Sequence, residues 1–400
     1  MAVLVRPRTR RCHTESLAVF LALLAAACVE QAGSLAVNSL TSTSTSWLRS
    51  VSNARGTPTR SSAIKRGLSK AENGRGRERG VAVAPTMGIA YNPNDELRAI
   101  VQRKQHEVKS FLAAHSAKDD PLQMRLSYGA SESCYALRSA LRRNKGQEDD
   151  QQAVVIADIK RRSPTAAELP PDVNAFDDPA AWASQLHAAG TKVLMVNTDG
   201  PAWGGSLADL DAVVGHFKKL GNTPPPIVMK DMIVHPIQMA QALEKGAAGT
   251  VLIACVLGPA LCDFMDTATV MGTECIVEVH TPAEAEKALE YGASVIMVNN
   301  WDRVTGKLYP KQAMAVRNLI PDQVLTIASG GIDSLEQAGR LTDEGYDAVV
   351  LGRSLVAGGR GGGASGPELI RGIVDRVGVP RSMLGWGVQA EDLDYEDRKI

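Results

Sequence analysis

Two charged side chains stand inside runs that are otherwise apolar. Lys230 closes PIVMK (226–230) and Glu278 interrupts ECIVEV (274–279); buried alone, either would be costly. Asp158 and Lys160 close a third run, AVVIADIK (153–160), just before Arg161 and Arg162. An amine and a carboxylate drawn together out of water set each other's proton affinity, which is what general acid and base chemistry requires. Lys160 or Lys230 acting with Glu278 is the pairing expected; the bland alternative is a structural salt bridge. Further polar residues end similar runs: Asn197 and Asp199, Asp231, His280, Asn299 and Asn300, Ser329 with Gly330 and Gly331, and Gly352 with Arg353.

The runs themselves are 153–158, 192–197, 226–230, 249–254, 274–279, 294–299, 323–328 and 347–352. They show no polar alternation, so they read as strands buried on both faces of a parallel sheet. Between them lie stretches of helical pattern, several closed by glycine at a C-cap position: Gly190, Gly221, Gly246, Gly272, Gly292 and Gly345. Eight strand–helix units with right-handed crossovers fit an α/β fold of the (β/α)8 barrel type, with an open doubly wound sheet as runner-up. In such a barrel, ligands sit beyond the carboxyl ends of the strands, where the polar residues fall. Gly330, Gly331 and Gly352 would let backbone N–H groups approach a phosphate. The glycine-rich 358–366 lacks the Lys-Ser/Thr ending of a P-loop and reads as an insertion.

Charge is unevenly spread over the 400 residues: positions 1–80 hold 13 of the 44 Lys and Arg but 4 of the 44 Asp and Glu. The remainder is mildly acidic, which argues against a nucleic-acid-binding body. Arginines at 6, 8, 10 and 11 precede the apolar run 17–28, a signal-peptide layout too short to span a bilayer. The Ser-, Thr- and Arg-rich stretch that follows has transit-peptide composition. Positions 1–80 are therefore expected to be a disordered leader directing the chain to a plastid, with a simple mitochondrial or plastid leader or a mis-set start codon as alternatives. No membrane association is expected once it is removed. Cys255 and Cys275 lie in apolar runs and read as buried free thiols; no zinc-like spacing is present. LRAIVQRKQHEVKSFLA has a helical period and opens an N-terminal helical extension over 95–150, in which SYGASES reads as a loop. The barrel is expected over 151–380 and a tail over 381–400.

With these residues in hand, the chain from about 95 to 377 resembles indole-3-glycerol phosphate synthase. IVQRKQHEV resembles that family's extra N-terminal helix, IADIKRRSP its IAEIKxxSP, WGGSLADL its FGGSLEDL, MKDMIVHPIQ its RKDFIIDPYQ, IVEVHTPAEAEKALEYGA its LVEVHxxEELExAlxxGA, and VNNWD its INNRD. The resemblance implies decarboxylating ring closure of carboxyphenylamino deoxyribulose phosphate in tryptophan biosynthesis, a carbon–carbon lyase reaction without metal or organic cofactor. Carried over by motif, Lys230 would be the general acid at the ribulose carbonyl, Lys160 would face the carboxylate and Glu278 would serve dehydration, with Asp158 beside them. Asn299, Ser163, Ser329 and Trp203 would contact the substrate, and Gly330, Gly331, Gly352 and Arg353 the phosphate.

The chain departs from the family at several of these places. The Glu of IAEIK is Asp158, one methylene shorter; the ESGI after the seventh strand is Ser329, Gly330, Gly331, Ile332, so a carboxylate is gone; and Trp203, Met232 and Trp301 replace Phe, Phe and Arg. Arg353 stands where a small residue often meets the phosphate, and can pair with it bidentately. Three functions therefore stay open: the synthase itself, a barrel of this descent acting on another phosphorylated substrate, and a non-catalytic relative.

Overall fold

The computed structural model describes residues 94–129, 135–142, 154–162, 176–221, 223–356 and 365–376. The expected leader, the C-terminal tail, Ser163 and residues 358–364 of the glycine-rich stretch lie outside the described residues. Strands β1 (Val154–Ile159), β2 (Val193–Asn197), β3 (Ile227–Lys230), β4 (Gly249–Ile253), β5 (Glu274–Val279) and β6 (Val295–Asn299) lead to a two-residue hairpin, β7 (Trp301–Asp302) and β8 (Lys307–Leu308). Strands β9 (Leu325–Ser329) and β10 (Ala348–Leu351) follow. Eight of these close into a barrel in the order β1-β10-β9-β6-β5-β4-β3-β2, every pair parallel. The eight expected strands are all present, with ends moved by one or two residues; the β7–β8 hairpin was not foreseen, being too short to carry a pattern.

Alternation along each strand divides the barrel into an inner and an outer core. Val154 and Ile156, Val193 and Met195, Val228, Val251, Ile276, Val295 and Met297, Ile327, Ala348 and Val350 pack together inside. Their neighbours, such as Val155, Leu194, Leu252 and Val349, pack outward under the helices. On seven of the eight strands the next inward position is one of Asp158, Asn197, Lys230, Glu278, Asn299, Ser329 and Gly352, continuing the inner rows at the carboxyl end, while β4 offers Ile253. A period of two therefore aims seven residues from seven strands at one point.

Among the described residues, three helices precede the barrel: α1 (Asp95–Ala114), α2 (Pro121–Tyr128) and α3 (Ala136–Leu141). Asn94 caps α1 through its side-chain oxygen, which accepts from Leu97 N at 2.8 Å. One face of α1, Leu97, Val101, Lys104 and Val108, is buried. Helix α3 closes the barrel's amino end: Leu137 and Leu141 are wholly buried and join the inner core, and Glu274 at the start of β5 accepts from Leu137 N at 2.8 Å and Arg138 Nε at 2.9 Å. Ser127 and Tyr128, expected in a loop, end α2 instead. The six helix-closing glycines all adopt positive φ, between 69° and 113°, as C-caps should. Both cysteines are free; Cys255 is buried, but Cys275 is only partly so.

Candidate active site

Asp158 is the hub of the barrel mouth. Its Oδ2 accepts from Lys160 Nζ at 2.8 Å and from Lys230 Nζ at 3.0 Å, while Oδ1 accepts from Asn197 Nδ2 at 2.5 Å. The shorter side chain still bridges both lysines. Burial pushes the carboxyl up, but the Lys160 and Lys230 ammoniums outweigh it and hold Asp158 below the ordinary carboxylate range. Burial lowers the proton affinity of Lys160; Asp158 opposes this and Lys230 adds to it, leaving Lys160 below an ordinary lysine. Gly352 makes room for the pair, since a Cβ there would lie 3.1 Å from Asp158 Oδ2 and 3.2 Å from Lys160 Nζ.

Glu278, wholly buried, forms a second centre. Its partners differ from the lysines expected: Arg303 Nε donates to Oε1 at 2.6 Å and Nη2 to Oε2 at 3.3 Å. His280 Nε2 lies 3.1 Å, and Asn299 Nδ2 3.2 Å, from the same Oε1. Burial raises the Glu278 carboxyl, yet Arg303 first, then His280 and Lys230, bring it well below the usual range. Lys160 and Lys230 are thus paired with Asp158, and Glu278 is a separately braced anion. This corrects the expected lysine–Glu278 pairing: Asp158 takes both ammoniums, and Arg303 and His280 occupy Glu278, on which Lys230 acts only at longer range.

Arg303 reaches Glu278 because of the β7–β8 hairpin. Asp302 Oδ1 accepts from Val304 N at 2.8 Å, and Gly306 N donates to Asp302 O at 2.8 Å with φ of 67° at Gly306. That tight turn folds Arg303 back over the mouth, its guanidinium 5.4 Å from the Trp203 ring centroid. Asn299 is fixed by accepting from Trp301 N at 3.0 Å.

One cleft collects Asp158, Lys160, Trp203, Lys230, Asn299, Ser329, Gly330, Gly331, Gly352 and Arg353. Every expected site residue within the described residues is there except Glu278, which touches the cleft through Arg303 and Asn299. Gly330 has φ of 88°, and a Cβ on it would come within 2.4 Å of Asn299 Oδ1 and 2.8 Å of Trp301 N. The serine that the resemblance places here has no room in this chain.

Other polar strand ends do different work. Asp199 and Asp231 receive Lys104 of α1, at 3.1 and 3.0 Å, and Arg103 adds two 2.9 Å bonds to Asp199. They anchor the N-terminal helix to the barrel. Burial raises Asp231 despite Lys104, and lowers Lys104 less than Asp231 and Asp199 raise it. Asn300 accepts from Ala313 N at 2.7 Å. Cys255, His280 and Glu284 bring three donor atoms within 4.8 Å of one another, a spacing that invites comparison with a metal site. Both imidazole nitrogens, however, are already engaged by carboxylates at 3.0 and 3.1 Å, so these residues do not fit a metal.

The family model described as indole-3-glycerol phosphate synthase matches residues 97–360. The chain belongs to the indole-3-glycerol phosphate synthase family. It is 34% identical over 218 residues to the indole-3-glycerol phosphate synthase of Opitutus terrae, covering 54% of this chain and 78% of that one. The synthase of Mycobacterium ulcerans is 35% identical over 206 residues, 51% of this chain and 72% of its own. That of Leptospira interrogans is 32% identical over 241 residues, 60% and 84% of the two chains. Within this family frame, Arg303, Lys104 and Glu284 are not singled out by the sequence, and His280 stands there only as a polar residue ending the fifth run. A signal existed for Arg303: the arginine absent at Trp301 reappears two positions later.

Proposed function

We propose that the protein is an indole-3-glycerol phosphate synthase, a carboxy-lyase acting on carboxyphenylamino deoxyribulose phosphate in tryptophan biosynthesis. Family membership supports the reaction class, and the observation that carries the reading is the pair of lysines sharing Asp158 in the cleft. The reaction joins the ring carbon bearing the carboxylate to the ribulose carbonyl carbon. Lys230 donates a proton to the carbonyl oxygen as that bond forms. Lys160 faces the substrate carboxylate until carbon dioxide departs and its bonding electrons return toward the ring. Lys160, freed once carbon dioxide has left, then protonates the hydroxyl so that it departs as water, while Glu278, held as an anion, takes the proton lost from the methylene carbon beside the ring nitrogen. Asn299 orients the substrate. Trp203 offers an apolar wall to the aryl ring, and Gly330, Gly331, Gly352 and Arg353 receive the phosphate.

The test is substrate turnover followed by the rise of indole fluorescence. Lys230→Ala should lower kcat by about 10²–10⁴-fold, the usual contribution of a positioned acid. A chain that binds the substrate and forms no indole product overturns the reading and leaves another phosphorylated substrate, favoured by Trp203 and Trp301, or a binding role. Delivery to a plastid belongs to the same proposal, supported by the arginine-led apolar run and the Ser- and Thr-rich stretch before residue 80. A fluorescent protein fused behind residues 1–80 should enter plastids; diffuse fluorescence would reject this. No helix among the described residues is long and apolar enough to cross a membrane.

A further inference from the structure

We propose that His280 is a permanently charged positioning residue, an imidazolium clamped between Glu278 and Glu284 that holds Glu278 as an oriented anion for the proton-accepting step. The inference rests on the proposed reaction. It starts from geometry alone: His280 is wholly buried, with Nε2 3.1 Å from Glu278 Oε1 and Nδ1 3.0 Å from Glu284 Oε2. A neutral imidazole has one N–H and one lone pair. It would therefore set a lone pair against a carboxylate on one side, out of reach of water. With both carboxylates ionised, the doubly protonated ring is the form that satisfies both contacts.

The ring is also held so that it cannot turn away. Its backbone N–H donates to the same Glu284 oxygen at 2.9 Å, and its carbonyl accepts from the Gln312 side chain. Glu284 is itself fixed in the first turn of the helix Pro282–Glu290, where Thr281 Oγ1 accepts from its N–H at 3.2 Å. The charged and titratable groups facing the ring are Glu278 from β5, Glu284 from that helix and the Cys255 thiol from the turn after β4. Arg303 and Lys230 lie beyond Glu278. Signs alternate along the line Arg303, Glu278, His280, Glu284. Burial disfavours the charged ring, but the hydrogen bonds to Cys255, Glu278 and Glu284 keep it protonated well above an ordinary histidine.

In this arrangement Glu278 has a cation on each side, with Oε1 held by both His280 and Arg303 and Oε2 by Arg303. Glu284 lies outside the cleft and acts only through His280. A merely structural His280 would matter for folding and not for the protonation of Glu278.

Two measurements on the full chain decide the matter. With ¹⁵N-labelled histidine, the His280 ring nitrogens should both give protonated-type shifts at pH 7 and keep them to about pH 8 or beyond. In His280→Asn, and more weakly in Glu284→Gln, the acid limb of the kcat/KM–pH profile should move up by about one unit, with KM little changed. Glu284→Gln should also bring the His280 titration down into the measured range. A neutral His280 at pH 7, or folded variants with an unmoved acid limb, overturns the proposal. Absent wild-type turnover would instead overturn the proposed reaction, with the ring spectrum still deciding whether His280 is charged.

Discussion

Replacing Asp158 by Asn should expose what the hub restrains. Lys160 and Lys230 bind the same oxygen at 2.8 and 3.0 Å, so their ammoniums are no more than about 6 Å apart, where the mutual repulsion at an effective dielectric of 20 is about 3 kcal/mol. Removing one member of a buried ionic cluster costs about 3–5 kcal/mol because the remaining charge is unpaired. For a domain of this size that is a fall in Tm on the order of 10 °C. Asn conserves the side-chain shape, so the loss is electrostatic. Thermal unfolding at pH 7 measures it, and Asp158→Asn combined with Lys160→Met supplies the control. With one ammonium gone the repulsion vanishes, so the double variant should be more stable than Asp158→Asn by about 2–3 kcal/mol, a non-additivity typical of groups in contact. The deficit of the single variant should also shrink as pH rises, since the crowded lysine can then shed its proton in the folded state. A melting point within about 2 °C of wild type, or strictly additive effects in the double variant, would refute the hub.

Three further outcomes follow from the same geometry. Gly330→Ser puts a Cβ where Asn299 Oδ1 and a φ of 88° exclude it, so stability should drop by about 1–3 kcal/mol and turnover should fall with it; a serine variant of full stability and activity contradicts the assignment. Lys104→Met takes the ammonium from the buried Asp231 and leaves Asp199 to Arg103, for a loss of roughly 3 kcal/mol in chemical unfolding, and limited proteolysis should show α1 released first. In acid, Asp158 and Glu278 have folded-state affinities below their unfolded values, so their stabilisation is complete above about pH 4.5. It should drain away as pH falls through the folded values, whereas stability that stays flat to about pH 3 would count against both ion clusters.

The barrel was legible because its strands are buried on both faces, and a run such as VLMVN in β2 or VIMVN in β6 is hard to place anywhere but in a strand covered on both sides. Lys230 and Glu278 were legible for the related reason that charge inside such a run needs a partner. What could not be read was which charge meets which. Strand order leaves a single strand between β3 and each of β1 and β5, so adjacency alone would leave Lys230 between Asp158 and Glu278; the arrival of Arg303 and His280 at Glu278, invisible in a linear pattern, leaves both lysines to Asp158. Arg303 escaped notice because its reach depends on a two-residue hairpin and the backbone bonds of Asp302, which leave no periodic trace. Asp199 and Asp231 looked like catalytic groups at strand ends; only the arrival of Lys104, on a helix far upstream in the chain, shows them to be anchors.

The charge balance at the mouth bears on what loss of the seventh-strand carboxylate does. Lys160, Lys230, Arg303 and Arg353 face the cleft region against Asp158, Glu278 and Asp333. A glutamate at Ser329 would have cancelled the difference. The substrate carries a carboxylate and a phosphate, and the phosphate alone brings a charge of about −1.5 to −2 near neutral pH. Ser329 therefore leaves a site that attracts the substrate more strongly while owning one proton acceptor fewer. Ground-state attraction of that kind lowers KM without raising kcat, whereas the missing acceptor acts on kcat. Glu278 is then the carboxylate left to the dehydration step, since Asp158 is committed to two ammoniums. A synthase built this way should differ from its relatives by a lower kcat at an unimpaired KM, because binding and proton transfer have been divided between different strands.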